Sequence, residues 1–212
     1  MITVIGNMKG GTGKSTVTFN LAVWLAHQNR SLRLFDLDPQ QTLADVVEVR
    51  QEEGYEPLLP STEPHDQLNA IQADQNTDEI LIDVSMSNET ALKEALKICD
   101  RIVIPVAPSQ ADIWSTQRFI KLIKTTCTQS PEVLAIINRA DTHPLVMETQ
   151  ESEEALDFLP GITRLKTRLH NRTAYRRSFS EGLGVFELNP SGKASKEVIK
   201  LTKQLYKKRA KQ

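Results

Sequence analysis

The sequence predicts an α/β fold: a doubly wound, mainly parallel sheet with helices on both faces. Three observations predict it. Short apolar runs alternate with amphipathic stretches along the 212 residues. A glycine-rich loop separates the first apolar run from the first helical pattern. Aspartates close two further apolar runs, at the edge where a parallel sheet binds its ligands.

The elements follow in order. Residues 1–5 read as a strand, and residues 14–28 as a helix burying Val17, Leu21, Val23, Trp24 and Leu25. Residues 31–36 are a second strand and 42–53 a helix. Residues 54–64 hold three prolines, which suits a loop with a short edge strand. A short helix at 66–73 precedes a buried strand at 79–83. Helices at 89–98, 112–126 and 148–158 alternate with strands at 101–106, 133–138 and 161–165. Helices at 171–181 and 191–211 end the chain. No internal repeat or low-complexity linker interrupts it, so residues 1–212 read as one domain. Its basic, helical C-terminal region starts at about residue 161.

Composition narrows the class. Hydrophobic content of 39% and charged content of 25% suit a soluble globular protein, and aromatic content is low at 5%. No stretch reaches the ~20 apolar residues of a membrane span, and a strand beginning at once leaves no room for a signal peptide. Cys99 and Cys127 lack metal-type spacing and read as buried or half-buried thiols in a reducing cytoplasm. The net charge of -1 conceals an asymmetry: residues 1–160 sum to -12 and residues 161–212 to +11. A basic end on an acidic body implies an anionic partner, nucleic acid or a membrane surface.

The run Met8-Lys9-Gly10-Gly11-Thr12-Gly13-Lys14-Ser15 has the layout of a phosphate-binding loop, or P-loop. Its glycines let backbone N–H groups curl around phosphates, and the following helix N-terminus adds positive charge. Gly10, Gly11, Thr12, Gly13, Lys14, Ser15 and Thr16 form the expected cradle. Lys14 reaches the β- and γ-phosphates of ATP, and the Ser15 hydroxyl ligates Mg²⁺. The generic pattern has a glycine where this chain has Met8, and an additional lysine, Lys9, follows. Such a lysine can place its charge on a phosphate held by a neighbouring subunit, much as an arginine finger does.

Asp36 and Asp38 follow Leu34-Phe35, and Asp83 closes Ile80-Leu81-Ile82. These carboxylates belong at the lip of the sheet, near Mg²⁺ and the attacking water. Asp36 and Asp83 are the candidate metal ligands, Asp83 directly or through a water. Asp83 also suits a helix cap, and Asp36 a brace for its loop. Asp38, followed by the Pro39-Gln40-Gln41 turn, is the candidate to position the hydrolytic water.

With these residues assembled, the chain resembles the ParA/MinD superfamily of deviant Walker A ATPases. In that family Lys9 corresponds to the signature lysine, which crosses a dimer to the other subunit's ATP. Asp36-Leu37-Asp38-Pro39-Gln40 resembles the second box, whose later aspartate supports hydrolysis, and Ile80-Leu81-Ile82-Asp83 the Walker B strand. Pro105-Val106-Ala107-Pro108-Ser109 through Asp112-Ile113-Trp114 resembles short plasmid-type ParA proteins, as does the stretch from Thr167 to Phe186. Asn138 and Arg139 match the strand end where the family reads adenine. Val84-Ser85-Met86-Ser87 departs from the small residues and prolines usual after Asp83. The chain starts at its first strand, like the short class that lacks a helix-turn-helix domain.

The resemblance implies an ATP-dependent sandwich homodimer that binds DNA non-specifically and positions a large cargo: a plasmid, a chromosome, or a protein organelle such as a carboxysome. A small adaptor, centromere-binding or cargo protein stimulates hydrolysis. The protein is expected to be cytoplasmic and nucleoid-associated, with no membrane partner. Arg168, Arg172, Arg176 and Arg177 are the candidate DNA contacts, Arg172 and Arg176 sharing a face if their stretch is helical. Few acids lie near them in sequence. Two other readings stand beside this one. The last helix could serve a MinD-like membrane switch, although its apolar face is modest. A metabolic P-loop enzyme would need further catalytic groups at the strand ends, and the chain has no surplus of them.

Overall fold

A computed structural model describes residues 1–73, 76–143 and 146–206. Seven strands form one parallel sheet in the order β3-β2-β4-β1-β5-β6-β7. They are β1 (Ile2–Asn7), β2 (Leu32–Asp36), β3 (Thr62–Glu63), β4 (Glu79–Ser85), β5 (Arg101–Val106), β6 (Glu132–Ala140) and β7 (Thr163–His170). The helices are α1 (Lys14–His27), α2 (Thr42–Glu52), α3 (Glu89–Ile98), α4 (Gln110–Thr126), α5 (Glu148–Asp157), α6 (Thr173–Ser180), α7 (Val185–Leu188) and α8 (Lys193–Leu205). The doubly wound arrangement is the expected one.

Strand periodicity explains the two layers. Successive side chains point to opposite faces, and both faces of the central strands are covered. Val4, Phe35, Ile82, Ile102 and Ile104 pack under α3, α4 and α5. Ile5, Leu34, Leu81 and Val103 pack under α1, α2 and α8. This is why the central strands read as continuous apolar runs. The proline-containing segment supplies only the two-residue edge strand β3, and residues 65–73 form a 3-10 helix.

The C-terminal quarter departs from the sequence expectation. The last strand runs to His170, not to residue 165. Leu165, Thr167 and Leu169 alternate with charged residues, and on an edge strand one such face meets solvent. The dense Arg/Lys content hides that period of two. Helix α6 starts at Thr173, so Arg172 is an extended N-cap residue and not part of a helical face with Arg176. The terminal helix begins at Lys193, and residues 207–211 of the expected helix lie outside the described residues. The short α7 has no counterpart in the sequence reading.

Gly182 shows how this region is fastened. Its φ is +67°, and an added Cβ would lie 2.8 Å from the Arg50 backbone nitrogen. Any larger residue would be strained and would clash. Arg50 is fully buried, donates to the carbonyls of Pro57 and Gly182, and pairs with Glu187 at 2.8 Å. The two cysteines also meet: Cys99 and Cys127 both donate to the Leu96 carbonyl, at 3.5 and 3.1 Å. Cys99 is buried and Cys127 half-buried, as expected.

Candidate nucleotide site

The carboxyl ends of β1, β2 and β4 carry the candidate phosphate-binding residues. Asp83 on β4 is in register with Asp36 on β2 and Ile5 on β1. The loop after β1 leads straight into α1. Gly13 caps α1 in the left-handed conformation, with φ of 87°, no side-chain cap and no acid in the helix's first turn. The first N–H groups of α1 therefore remain available to an anion. An added Cβ on Gly13 would come 2.3 Å from Asn138 Nδ2. The glycine thus answers both a backbone requirement and a close approach.

Two adjoining clefts open here. One, of about 280 Å³, is lined by Gly10, Gly11, Gly13, Lys14, Ser15, Thr16, Asp38, Arg139 and the Ser85-Met86-Ser87 turn. The other, of about 520 Å³, shares Gly13, Thr16 and Arg139 and continues along Asn138, His170, Arg172, Tyr175, Arg176 and Phe179. The smaller has the backbone and cations for phosphates. The larger has the aromatic and amide groups for a nucleoside. Met8 half-packs into the core and lines the smaller cleft, in place of the pattern's glycine. Thr12 is buried beneath the loop.

Each acidic residue has its own setting. Asp83 is fully buried, and neither of its oxygens has a hydrogen-bond partner. Burial pushes its carboxyl up to about 7; the neighbouring Ser15 hydroxyl and Lys14 ammonium offset part of that, and Asp36 adds to it. A buried, unpartnered carboxylate beside a serine hydroxyl suits a cation with oxygen ligands. Among the described residues no group of three His, Cys, Asp or Glu could hold an ion by itself. Mg²⁺ needs no such cage, since it takes one or two protein ligands plus phosphates and waters.

Asp36 instead spends its carboxylate on backbone. Its Oδ1 accepts from Asp38 N–H at 3.2 Å, and its Oδ2 from Leu43 and Ala44 N–H at 2.8 and 3.0 Å. Burial raises its pKa and these bonds partly offset the rise. That is the geometry of a brace at the start of α2. Asp38 faces the smaller cleft, 4.0 Å from the buried Lys14 Nζ.

Lys9 behaves differently from Lys14. It does not line the cleft. Its Nζ lies 2.5 Å from Asp112 Oδ2 on α4, and the lysine side chain is 42% exposed. Asp112 also accepts from the Ser109 hydroxyl, and Asn7 accepts from Lys9 N–H while donating to the Pro105 carbonyl. Sequence reasoning missed Asn7 and the role of Asp112 as the lysine's partner. The Ser109-x-x-Asp112 spacing, that of a helix cap, was the available signal.

Asn138 donates to the Thr12 carbonyl at 2.6 Å, so it ties β6 to the phosphate loop while lining the larger cleft. Arg139 follows with a left-handed φ of 58°, which turns its exposed side chain towards both clefts. Three of the four arginines singled out above have carboxylate partners. Arg168 pairs with Glu153, Arg172 with Glu197 and Arg177 with Glu181. The acids for Arg168 and Arg172 arrive from α5 and α8, whereas Glu181 is a local partner, four residues from Arg177. Arg176 lines the larger cleft.

The profile of the CobQ/CobB/MinD/ParA nucleotide binding domain matches residues 3–185. The chain is 30% identical over 198 residues to the maintenance of carboxysome distribution protein A of Halothiobacillus neapolitanus, covering 92% of this chain and 91% of that protein. Among solved structures, a Cyanothece McdA variant in complex with ATP superposes with a TM-score of 0.72 at 17% identity, over 100% of this chain and 98% of the other. The septum site-determining protein MinD of Pyrococcus horikoshii, complexed with Mg-ADP, has a TM-score of 0.75 at 20% identity, over 97% and 96% of the two chains. Both share the fold.

Proposed function

The chain belongs to the CobQ/CobB/MinD/ParA nucleotide-binding domain family, and we propose that it is an ATP-driven switch that positions a large cargo. Its enzymatic class is that of the ParA/MinD ATPases. In the proposed cycle two ATP-bound subunits form a sandwich, the dimer holds DNA through its basic C-terminal surface without reading sequence, and an adaptor protein triggers hydrolysis. A cargo of the carboxysome kind is favoured by the likeness to the Halothiobacillus protein across nearly the whole of both chains.

The observation that carries this reading is the divergence of the two lysines. Lys14 lies buried in the phosphate cleft, whereas Lys9 is turned out of it and held by Asp112. A cation built into the loop yet kept from its own cradle is suited to another subunit's phosphates. Trp114, two residues beyond Asp112 on α4, is 54% exposed, as a surface that meets a partner would be.

Within the site, Lys14 and the α1 N-terminus would hold the β- and γ-phosphates. Ser15 and Asp83 would hold Mg²⁺, and Asp36 would brace the turn that presents Asp38 to a water. Mg²⁺ would supply charge neutralisation at the phosphate oxygens. Asn138, Arg139 and the α6 side chains would line the nucleoside. The test is sedimentation of the protein with ATP and Mg²⁺. A dimer in the parent chain and a monomer in Lys9→Ala, at similar ATP affinity, is the expected result. A parent chain that stays monomeric with bound ATP would overturn the switch.

A further inference from the structure

Cys99 and Cys127 are the C-cap residues of α3 and α4, and both have an extended backbone. Each stands between a helix and the strand that follows it. Those strands, β5 and β6, are neighbours in the sheet, with Arg101 opposite Glu132. Parallel strands all start from one edge, so both connections lie there, opposite the carboxyl ends that bear the nucleotide clefts. Hydrogen bonds lace the two connections together. Glu132 N–H donates to the Asp100 carbonyl at 2.9 Å, and the Thr128 hydroxyl to the Lys97 carbonyl at 3.4 Å.

The two sulfurs converge within this lacing. Both thiols reach the Leu96 carbonyl, at 3.5 and 3.1 Å, and they also hydrogen-bond each other. They differ in access. Cys99 is 4% exposed, whereas Cys127 is half-buried and leads into the exposed Thr128, Gln129 and Ser130. They differ in acidity as well. The hydrogen bond from Cys99 holds the Cys127 thiol below its ordinary value, while that contact and burial push Cys99 up. One sulfur is thus reachable and more readily ionised, and a second, protonated sulfur waits behind it. Attacking and resolving thiols are arranged in this way. A metal is the poorer occupant, because among the described residues no third ligand joins the two cysteines.

We propose that Cys99 and Cys127 form a reversible redox pair, oxidised by hydroperoxide to an intramolecular disulfide that staples the end of α3 to the end of α4. The Cys127 thiolate attacks one peroxide oxygen. The O–O bond breaks, and the departing hydroxide takes up a proton to become water. Cys127 is left as a sulfenic acid. The Cys99 sulfur, giving up its proton, then attacks the Cys127 sulfur; the S–O bond breaks, the S–S bond forms, and a second water leaves. The two thiols together lose two electrons, which the peroxide gains. A dithiol reductant reverses the step by exchange.

The bridge closes β5 and α4 into one covalent loop, which constrains the unfolded chain more than the folded one. Neither cysteine lines either nucleotide cleft. The staple therefore acts on the joint between two helices and leaves the phosphate loop untouched.

The experiment treats the folded chain with hydrogen peroxide and reads intact mass, maleimide labelling and thermal melting, before and after dithiothreitol. The parent should lose the mass of two hydrogens, shield both thiols from maleimide, and yield a peptide pair joining Cys99 to Cys127. It should melt higher by about 5 °C or more, and dithiothreitol should undo all of this. In Cys99→Ala, Cys127 should gain oxygen and form no bridge. In Cys127→Ala, the buried Cys99 should stay unreacted; this variant keeps the test decisive if Cys99→Ala does not fold. A parent that gains oxygen at Cys127 without losing hydrogens, or that links two chains instead, would overturn the pair. Equal peroxide reactivity of Cys99 in the presence and absence of Cys127 would overturn the order of attack, and a bridged chain that melts no higher than the reduced one would overturn the staple.

Discussion

The ammonium of Lys9 sits 2.5 Å from the carboxylate of Asp112, a residue 103 positions further along the chain. The pair holds a loop lysine against α4 and away from the cleft that its own loop encloses. In the proposed cycle a lysine held this way would have to let go before serving a second subunit, so Asp112 would oppose dimerisation by the strength of one ion pair whose lysine is half-exposed. Such pairs are worth about 0.2–1 kcal/mol. Asp112→Asn should therefore lower the ATP concentration at which dimers form by up to roughly fivefold. Titration of ATP against dimer mass measures this; an unchanged midpoint would show that the pair does not gate assembly.

Lys14 is the buried cation of the smaller cleft, which the exposed Arg139 also lines. A charged hydrogen bond contributes about 1.5–3 kcal/mol. Lys14→Ala should weaken ATP binding by up to roughly a hundredfold on that scale. Equilibrium binding of labelled ATP reports it. Unaltered affinity would remove the assignment of this loop to phosphate.

Asp38 faces the same cleft from the turn that Asp36 braces. Asp38→Ala should bind ATP and dimerise, but hydrolyse it slower by about two orders of magnitude, the contribution expected of a residue that positions or deprotonates water. Dimers should then persist in gel filtration with ATP and Mg²⁺. Turnover at the parental rate, with a stimulating partner present, would mean that another group orients the water.

Asp83 makes a sharper case, because its two effects have opposite signs. Its buried carboxylate has no hydrogen-bond partner, so removing the charge relieves a desolvation cost in the nucleotide-free chain. Asp83→Asn should melt at a higher temperature than the parent without ligand, yet gain less from ATP and Mg²⁺. Thermal melts with and without EDTA separate the two effects. A variant that gains as much from Mg²⁺ as the parent does would exclude Asp83 from the metal site.

Arg50 and Glu187 form the buried pair that fastens α2 to α7. Removing one partner of such a pair costs about 3–5 kcal/mol, so Arg50→Ala should unfold at much lower denaturant. Burial pushes the Glu187 carboxyl up, but hydrogen bonds from Arg50, His27 and the Gly184 N–H outweigh this and hold it below its usual value. A lowered carboxylate pKa stabilises the fold above the unfolded value and loses that contribution as pH falls through the folded one. The parent should lose this stability below about pH 4.5, its ordinary value. The Arg50→Ala chain, already deprived of the pair, should show a shallower acid limb in urea melts at several pH values.

What the sequence alone determined was local. Strand, glycine loop and helix are contiguous from Ile2 to His27, so the cradle and its Lys14 were legible from spacing. The same holds for β4 and β5, whose apolar runs follow from burial on both faces of a parallel sheet. Asp36 ends β2 and Asp38 follows it in the turn, as their place after an apolar run implies, whereas Asp83 lies two residues inside β4, which continues to Ser85. What tertiary structure decided was pairing over distance. Lys9 meets Asp112, Arg50 meets Glu187, and Cys99 meets Cys127 only once the sheet has set its order. Arg168 and Arg172 looked unopposed because their acids lie on α5 and α8; the partner of Arg177, Glu181, stands only four residues on. Among the described residues Lys193, Lys196, Lys200 and Lys203 have no ion-pair partner: the apolar side of α8 enters the core, and that leaves the lysine side facing water.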